Sequence, residues 1–318
     1  MKLSTRLLNK RTALLYSVVL YLLFALVISG CKTSNKAFTF YVFSDTHLTG
    51  DQKRFLINDS MITEANNLYQ QAFPESLSNR KKQKPKGVLI CGDLTDGATE
   101  KQWIDFTQLY GMNGENHLKY PVYENHGNHD GDSVGVVRQG IKQRNRQRTK
   151  ITNVSENGLH YSFDWGNYHF VSLGSYPANG WDSTCGWCHY FKEGFRDPQN
   201  SLAFLQQDLA KYANSRTKVI MYFHYGWDDF SKLWWTEKEQ DNFYKVIKNY
   251  NIACIFSGHD HATGCRNWKG INVYSAGSPQ HDQQTGSFLM VQATKDSMYV
   301  LEREWNKWGD HVYRNAVK

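Results

Sequence analysis

The chain has 318 residues, of which 40% are hydrophobic, 14% aromatic and 21% charged, with a formal net charge of +7. This is enough for one large α/β domain with a well-buried core, and the absence of internal repeats, heptads or low-complexity tracts excludes solenoid, coiled-coil and disordered architectures. The basic excess sits at the N-terminus: beyond residue 30 the balance is 33 basic against 30 acidic residues, too even for a surface built to hold nucleic acid.

Lys2, Arg6, Lys10 and Arg11 precede an apolar stretch from Ala13 to Ser29, and Ile28-Ser29-Gly30-Cys31 reads as a lipobox. Residues 1–30 are then a lipoprotein signal peptide, Cys31 is the lipidated new N-terminus and residues 31–36 are a tether. The alternative is an uncleaved membrane anchor, for which the stretch is close to the lower length limit. Either way, the rest of the chain is expected outside the cytoplasm, attached to the cell envelope. In a Gram-negative cell, Lys32 after Cys31 resembles the outer-membrane sorting pattern.

Phe38 to Phe43 is the first of several near-continuous β-branched and aromatic runs, followed by Val88 to Cys91, Val219 to Phe223 and Ile252 to Phe256. Such runs predict strands buried on both faces. Pro121-Val122-Tyr123 is a weaker strand, whose proline suits an edge or a strand start. Thr99 with Gln102 and Thr236 with Glu239 predict capped helix starts, each ahead of a helical apolar stripe, and Leu202, Leu205, Leu209 and Tyr212 mark a third helix. Gly158 to Phe170 predicts a hairpin in which His160 and His169 are sheet-face residues. Residues 174–200, rich in aromatics and glycine, predict a long ordered loop of the kind that forms lids. Ile271 to Tyr274, Phe288 to Gln292 and Met298 to Glu302 predict closing strands, and residues 306–318 a C-terminal tail.

Five polar segments carry the chemistry. They are Asp45-Thr46-His47, Gly92-Asp93-Leu94-Thr95-Asp96, Gly127-Asn128-His129-Asp130, His224 and Gly258-His259-Asp260-His261, and four of them directly follow a β-type run. Carboxylate, amide and imidazole suit borderline divalent ions such as Mn, Fe and Zn, without any thiolate. In α/β sheets, groups distant in sequence gather beyond the carboxyl ends of the strands.

The ordered set resembles the calcineurin-like metallophosphoesterase superfamily over residues 38 to 293. That resemblance implies a single α/β domain at 37–305, a four-layer α/β/β/α sandwich. It also implies two divalent metal ions (Mn, Fe, Zn or Co), one held by Asp45, His47, Asp93 and His261 and the other by Asp93, Asn128, His224 and His259, with a metal-bridging hydroxide as nucleophile. His129 corresponds to the proton donor to the leaving oxygen, and Asp96 to the partner that orients its imidazole. The arginines that grip phosphate in phosphoprotein phosphatases are absent: Asp96-Gly97-Ala98 and Asp130-Gly131-Asp132 stand in their places. A purple acid phosphatase would need a tyrosine ligand where Asp96 stands, and a 5'-nucleotidase would need a further domain after His261. The expected activity is a phosphomonoesterase. The alternatives are a phosphodiesterase of the cyclic-nucleotide or glycerophosphodiester type, or a non-catalytic surface lipoprotein that binds phosphorylated ligands.

Arg138, Lys142 and Arg144 follow the third motif, and Trp227, Tyr225, Trp234 and Trp235 follow His224, with Trp181 and Trp187 in the long loop. Together they predict a rim of rings and cations for a phosphorylated small molecule or lipid headgroup, with Arg138, Arg144 and Trp227 as its contacts. Cys185-Gly186-Trp187-Cys188-His189 satisfies the C-x-x-C-H pattern of haem attachment. Its setting inside a phosphoesterase loop favours a local disulfide, with a bond from either cysteine to Cys265 as the rival. Cys91 and Cys254 lie in buried strands and are expected to be inert thiols.

Overall fold

The computed structural model describes residues 37–77, 83–184, 197–279 and 286–316. The expectations for residues 1–36, including Cys31, and for Cys185, Trp187, Cys188 and His189 lie outside the described residues. One sheet contains β1 (Phe38–Phe43), β2 (Val88–Ile90), β3 (Val122–Glu124), β11 (Ser287–Ala293), β12 (Ser297–Glu304) and β13 (Lys307–Ala316), in the order β13-β12-β11-β1-β2-β3. The other contains β4 (Asn153–Val154), β5 (Tyr161–Trp165), β6 (Tyr168–Ser172), β7 (Lys218–Tyr222), β8 (Ile252–Ser257), β9 (Gly264–Trp268) and β10 (Ile271–Ser275), in the order β4-β5-β6-β7-β8-β10-β9. Strands β1, β2 and β3 are mutually parallel, as are β6, β7, β8 and β10.

Strand periodicity sorts most of the apolar residues into three cores, with a small fourth cluster at Leu77, Tyr299 and Leu301. Phe38, Phe40 and Val42 of β1 meet Phe170, Ile220, Tyr222 and Phe256 of the other sheet in the central layer. The alternate residues Tyr41 and Phe43 face outward against α1 (Gln52–Leu68), α2 (Glu100–Tyr110) and α3 (Val136–Gln147), through Met61, Ile62, Phe106, Leu109, Val137 and Ile141. On the second sheet Val219 and Met221 face α4 (Ser201–Tyr212) and α5 (Glu237–Ile247), through Leu205, Leu209, Phe243 and Ile247. Strands covered on both faces leave no polar alternation, which is why they read as continuous apolar runs. The result is the expected helix-sheet-sheet-helix sandwich.

Both capping boxes form, at Thr99 with Gln102 and at Thr236 with Glu239. Gln102 also accepts from Gly97 N (2.8 Å), fastening the second polar segment to its helix. Strand β3 is the sheet edge, as its proline implied. One feature differs from expectation. The C-terminal tail is strand β13, antiparallel to β12, and its polar composition is that of an edge that needs little burial. Helix α1 had no clear apolar stripe because it buries Asn58 among Met61, Ile62 and Ala65. Asn58 Nδ2 donates to Thr46 O (3.0 Å), and its Oδ1 accepts from Tyr110 (2.6 Å).

His160 and His169 are buried in the hairpin sheet. His169 is clamped between Asp164 (Nδ1 to Oδ1, 2.8 Å) and Asp208 (Nε2 to Oδ2, 2.7 Å). Burial alone would depress this imidazole, but the bonds to Asp164 and Asp208 prevail and raise it to about 9. The folded state therefore holds a proton that the unfolded chain releases near its ordinary value of about 6.5. This contribution to stability is complete below about pH 6.5 and is lost as pH rises through about 9. Denaturant midpoints measured from pH 6 to pH 10 should fall across that window, and the fall should be much smaller in His169→Gln.

Candidate metal centre

The loops that leave β1, β2, β3, β7 and β8 interlock at the strand ends. Asp45 N donates to Gly92 O (3.0 Å), His47 N to Asp93 O (3.0 Å) and His129 N to Asp93 Oδ1 (2.8 Å). His224 Nδ1 contacts Cys91 O (2.9 Å), and His259 N donates to Asp45 Oδ2 (3.0 Å). Five of these residues hold left-handed backbone: Asp45 (φ 53°), His47 (41°), Asp93 (49°), His259 (77°) and His261 (57°). Such angles are uncommon for residues with a Cβ and cluster at functional sites. Two motif glycines are required by space, since a Cβ at Gly127 would lie 2.2 Å from Asp93 Oδ1 and one at Gly258 would lie 2.6 Å from Asp45 Oδ2.

Besides His47, Asp96 and His129 at the exposed edge, two largely buried donor groups result, each with its atoms within 4.8 Å of one another: Asp45, His47 and His261, and Asp93, His224 and His259. Asp93 Oδ2 stands between them, 3.1 Å from His224 Nε2 and 3.7 Å from His47 Nε2. Asn128 Oδ1 lies 3.1 Å from His224 Nε2. Imidazole nitrogens face each other at 3.1 Å (His47 Nε2 to His261 Nε2) and 3.2 Å (His224 Nε2 to His259 Nδ1). A proton between two nitrogens satisfies one pair only, whereas converging lone pairs from nitrogen and carboxylate are a cation's coordination shell. The carbonyl of Cys91 fixes the His224 tautomer with its proton on Nδ1, leaving Nε2 as the donor. The donor set therefore fits two borderline divalent ions.

The electrostatics call for positive charge at the same place. Burial pushes the Asp93 carboxyl up, but His224, followed by His47 and His129, holds it well below the ordinary carboxylate range. Burial would lower His224, yet Asp93 raises it to about 9. His259 is driven down to about 4 by burial and by the charge of His224. Asp130 is a third buried carboxylate, and the sequence pattern gave it no role. It accepts from Leu94 N (3.1 Å), Thr95 N (2.9 Å), Thr95 Oγ1 (2.9 Å) and Gly127 N (2.9 Å), locking the second motif to the third.

Three expectations are corrected. The Asp96 carboxylate is 3.3 Å from His47 Nδ1 and 3.9 Å from His129 Nδ1, so the side chain attends His47. It is the Asp96 backbone carbonyl that holds His129 Nδ1, at 2.7 Å. The cations do not reach the site. Arg138 is fully buried, its guanidinium pulled down to about 10 by burial and sustained by Asp130 and Asp197. Lys142 Nζ donates to Ser133 O (2.9 Å). Arg144 Nε donates to buried Glu124 (2.7 Å), which Arg148 also pairs. Nor do the tryptophans form a rim: Trp227, Trp234 and Trp235 are buried, and Trp227 packs on Phe223, Trp235 and Trp268. Two rings stand against the ligands: Tyr225, fully buried, meets His259 edge-on at 4.7 Å, and Phe230, exposed, is stacked on His259.

The centre opens into a cavity of about 490 Å³ lined by Asp93, Asp96, Asn128, His129, His259 and His261 together with Gly97, Ala98, Gly131 and Phe230. A larger cleft of about 590 Å³ opens where β8 and β10 begin, and no histidine, cysteine or carboxylate lines it. Cys91 and Cys254 are buried free thiols pushed up by burial, and Cys265 is an exposed free thiol. Arg144 and Arg148 share the buried Glu124 carboxylate, so removing Arg144 leaves that charge with one of its two partners. Arg144→Ala should accordingly lower the unfolding free energy by roughly 1.5–3 kcal/mol, read by denaturant titration, while the Michaelis constant for any hydrolysed ester stays unchanged.

A family model described as calcineurin-like phosphoesterase matches residues 38–263. Purple acid phosphatase 22 of Arabidopsis thaliana is 26% identical over 194 residues, which cover 59% of this chain and only 40% of that protein's length. Among solved structures, a dimetal phosphatase from Danio rerio superposes with a TM-score of 0.62 at 14% identity, over 88% of this chain and 99% of the other. The Plasmodium protein GAP50, described as the anchor in the inner membrane complex, gives 0.56 at 11% identity over 89% of each chain. Purple acid phosphatase PPD1 from yellow lupin, Lupinus luteus, gives 0.51 at 13% identity over 89% of this chain and 54% of its own. At these identities the structural likeness speaks to the fold, and the family model, spanning well over half of the sequence, speaks to descent. The chain belongs to the calcineurin-like phosphoesterase family.

Proposed function

We propose that the chain is a metal-dependent hydrolase that acts on phosphomonoesters outside the cytoplasm, with one ion held by Asp45, His47, Asp93 and His261 and the other by Asp93, Asn128, His224 and His259. The observation that carries the ligand assignment is the position of Asp93 Oδ2 between His47 and His224. Two bound ions would stabilise the attacking and leaving oxygens of an in-line displacement and make water nucleophilic near neutral pH. The protein's own part is to hold the ester and move a proton. His129 is partly exposed at the cavity, and the Asp96 carbonyl fixes its Nδ1, which leaves Nε2 to give a proton to the leaving oxygen. Asp96 is held below the ordinary carboxylate range, first by its bond with His47, and stays anionic beside that ligand.

The names of the relatives, a purple acid phosphatase and a dimetal phosphatase, support a monoester substrate. A phosphodiester is the second reading, favoured by one observation. Among the described residues that line the cavity there is no lysine or arginine, and a monoanionic diester asks for less counter-charge than a dianionic monoester.

Chelated protein should be silent on every ester and recover with Mn, Fe, Zn or Co. A panel of monoesters and diesters on the restored protein then separates the two readings. Within that panel His129→Ala should slow alkyl esters by roughly 100- to 10,000-fold and nitrophenyl esters far less, because a nitrophenolate leaves without protonation. Equal losses on both would remove His129 from the proton-donor role.

The location rests on the lipobox at Ile28-Ser29-Gly30-Cys31. Cys31→Ala should abolish labelling by a fatty-acid analogue and leave an uncleaved precursor or a protein released from membranes. A wild-type chain that takes no label in a host with intact lipoprotein processing would favour the transmembrane anchor.

A further inference from the structure

We infer that Phe230 is a specificity-determining residue, a stacking platform at the mouth of the metal cavity that selects phosphate esters whose organic group is flat and aromatic. This rests on the phosphoester-hydrolase reading above and adds the class of substrate.

Five large apolar side chains are exposed among the described residues, Leu56, Ile104, Val134, Phe230 and Trp305, and only Phe230, at 57% exposure, lines the cavity. An isolated exposed apolar residue is ordinary on a protein surface, so its position decides the matter. One face of the Phe230 ring lies nearly parallel to His259, with centroids 5.2 Å apart and an interplanar angle of 25°. Trp234 meets its edge at 6.2 Å and 74°.

The segment is built to hold that ring out. Asp228 Oδ1 accepts from Ser231 N (2.7 Å) and its Oδ2 from Ser231 Oγ (2.5 Å), and Leu233 N donates to Phe230 O (3.1 Å). Buried Trp227, Trp234 and Trp235 anchor the turn on both sides. A turn that buries three tryptophans and exposes one phenylalanine beside the metal ligands is a preorganised contact surface. Gly97, Ala98 and Gly131 also line the cavity, and their small side chains leave the space a bulky ester group needs. A ring with one face on an imidazole and the other open takes a second flat group by offset stacking, whereas an alkyl group gains less.

Calorimetry of the metal-loaded protein with phenylphosphonate and methylphosphonate, which bind without being hydrolysed, tests this. Wild type should bind phenylphosphonate more tightly. Phe230→Ala should weaken phenylphosphonate by roughly two- to tenfold and move methylphosphonate by less than about twofold. Phe230→Trp should keep the preference. Equal affinities in wild type, or equal losses for both ligands in Phe230→Ala with an unchanged melting curve, would overturn the platform and leave the hydrolase reading standing. If the metal-loaded protein bound neither phosphonate, the hydrolase reading would fall and the platform with it.

Discussion

The burial of three carboxylates where the two sheets meet is the constraint on which the architecture turns. Asp45, Asp93 and Asp130 are at most 1% exposed. An anion removed from water costs several kcal/mol unless charge or hydrogen bonds replace its hydration. Asp130 is served by three backbone amides and a hydroxyl, and so becomes the clasp between the second and third loops. Asp93 and Asp45 are served incompletely by protons, because their neighbours are imidazoles that repel one another once charged. His224 and His259 show this conflict as shifts in opposite directions. Divalent cations resolve it, and the loops that follow β1, β2, β3, β7 and β8 are shaped to bring donors to them.

Much of this organisation is legible in the amino-acid sequence, for a physical reason. Strands covered on both faces must be apolar throughout, so β1, β2, β7 and β8 announce themselves, and a donor placed just after such a strand has one place to go. The capping boxes at Thr99 and Thr236 are local chemistry and are equally plain. Helix α1 is not, because its buried face includes Asn58, whose bonds to Thr46 and Tyr110 lie far off in sequence. Strand β13 is not, because an edge strand gains its order from pairing with β12 rather than from its own pattern.

The substrate contacts misled for a related reason. Arg138 and Arg144 follow a ligand on a helix, and sequence shows a charge without showing which way the helix turns it. Both face inward, where Asp130 and Glu124 need counter-charge, so they serve the fold near the site rather than the ester in it. Trp227, Trp234 and Trp235 sit close to His224 in sequence, yet the sheet-helix interface claims their area first. Phe230, a single aromatic between Asp229 and Ser231, carries no sequence signal, and only the turn capped by Asp228 shows where it points. The Asp96 exchange, carbonyl to His129 and carboxylate to His47, is a matter of a single rotamer and is invisible to spacing.

The left-handed backbone at Asp45, His47, Asp93, His259 and His261 sets stability and chemistry against each other at the same five positions. Each such angle costs on the order of 1–3 kcal/mol for a residue with a Cβ, and glycine adopts it without that strain. A copy of this chain released from its chemistry would gain firmness by drifting to glycine at these positions, losing donors as its melting temperature rose. Within the family, a member that has kept this fold while giving up catalysis should therefore be recognisable from sequence by glycines at the ends of its strands.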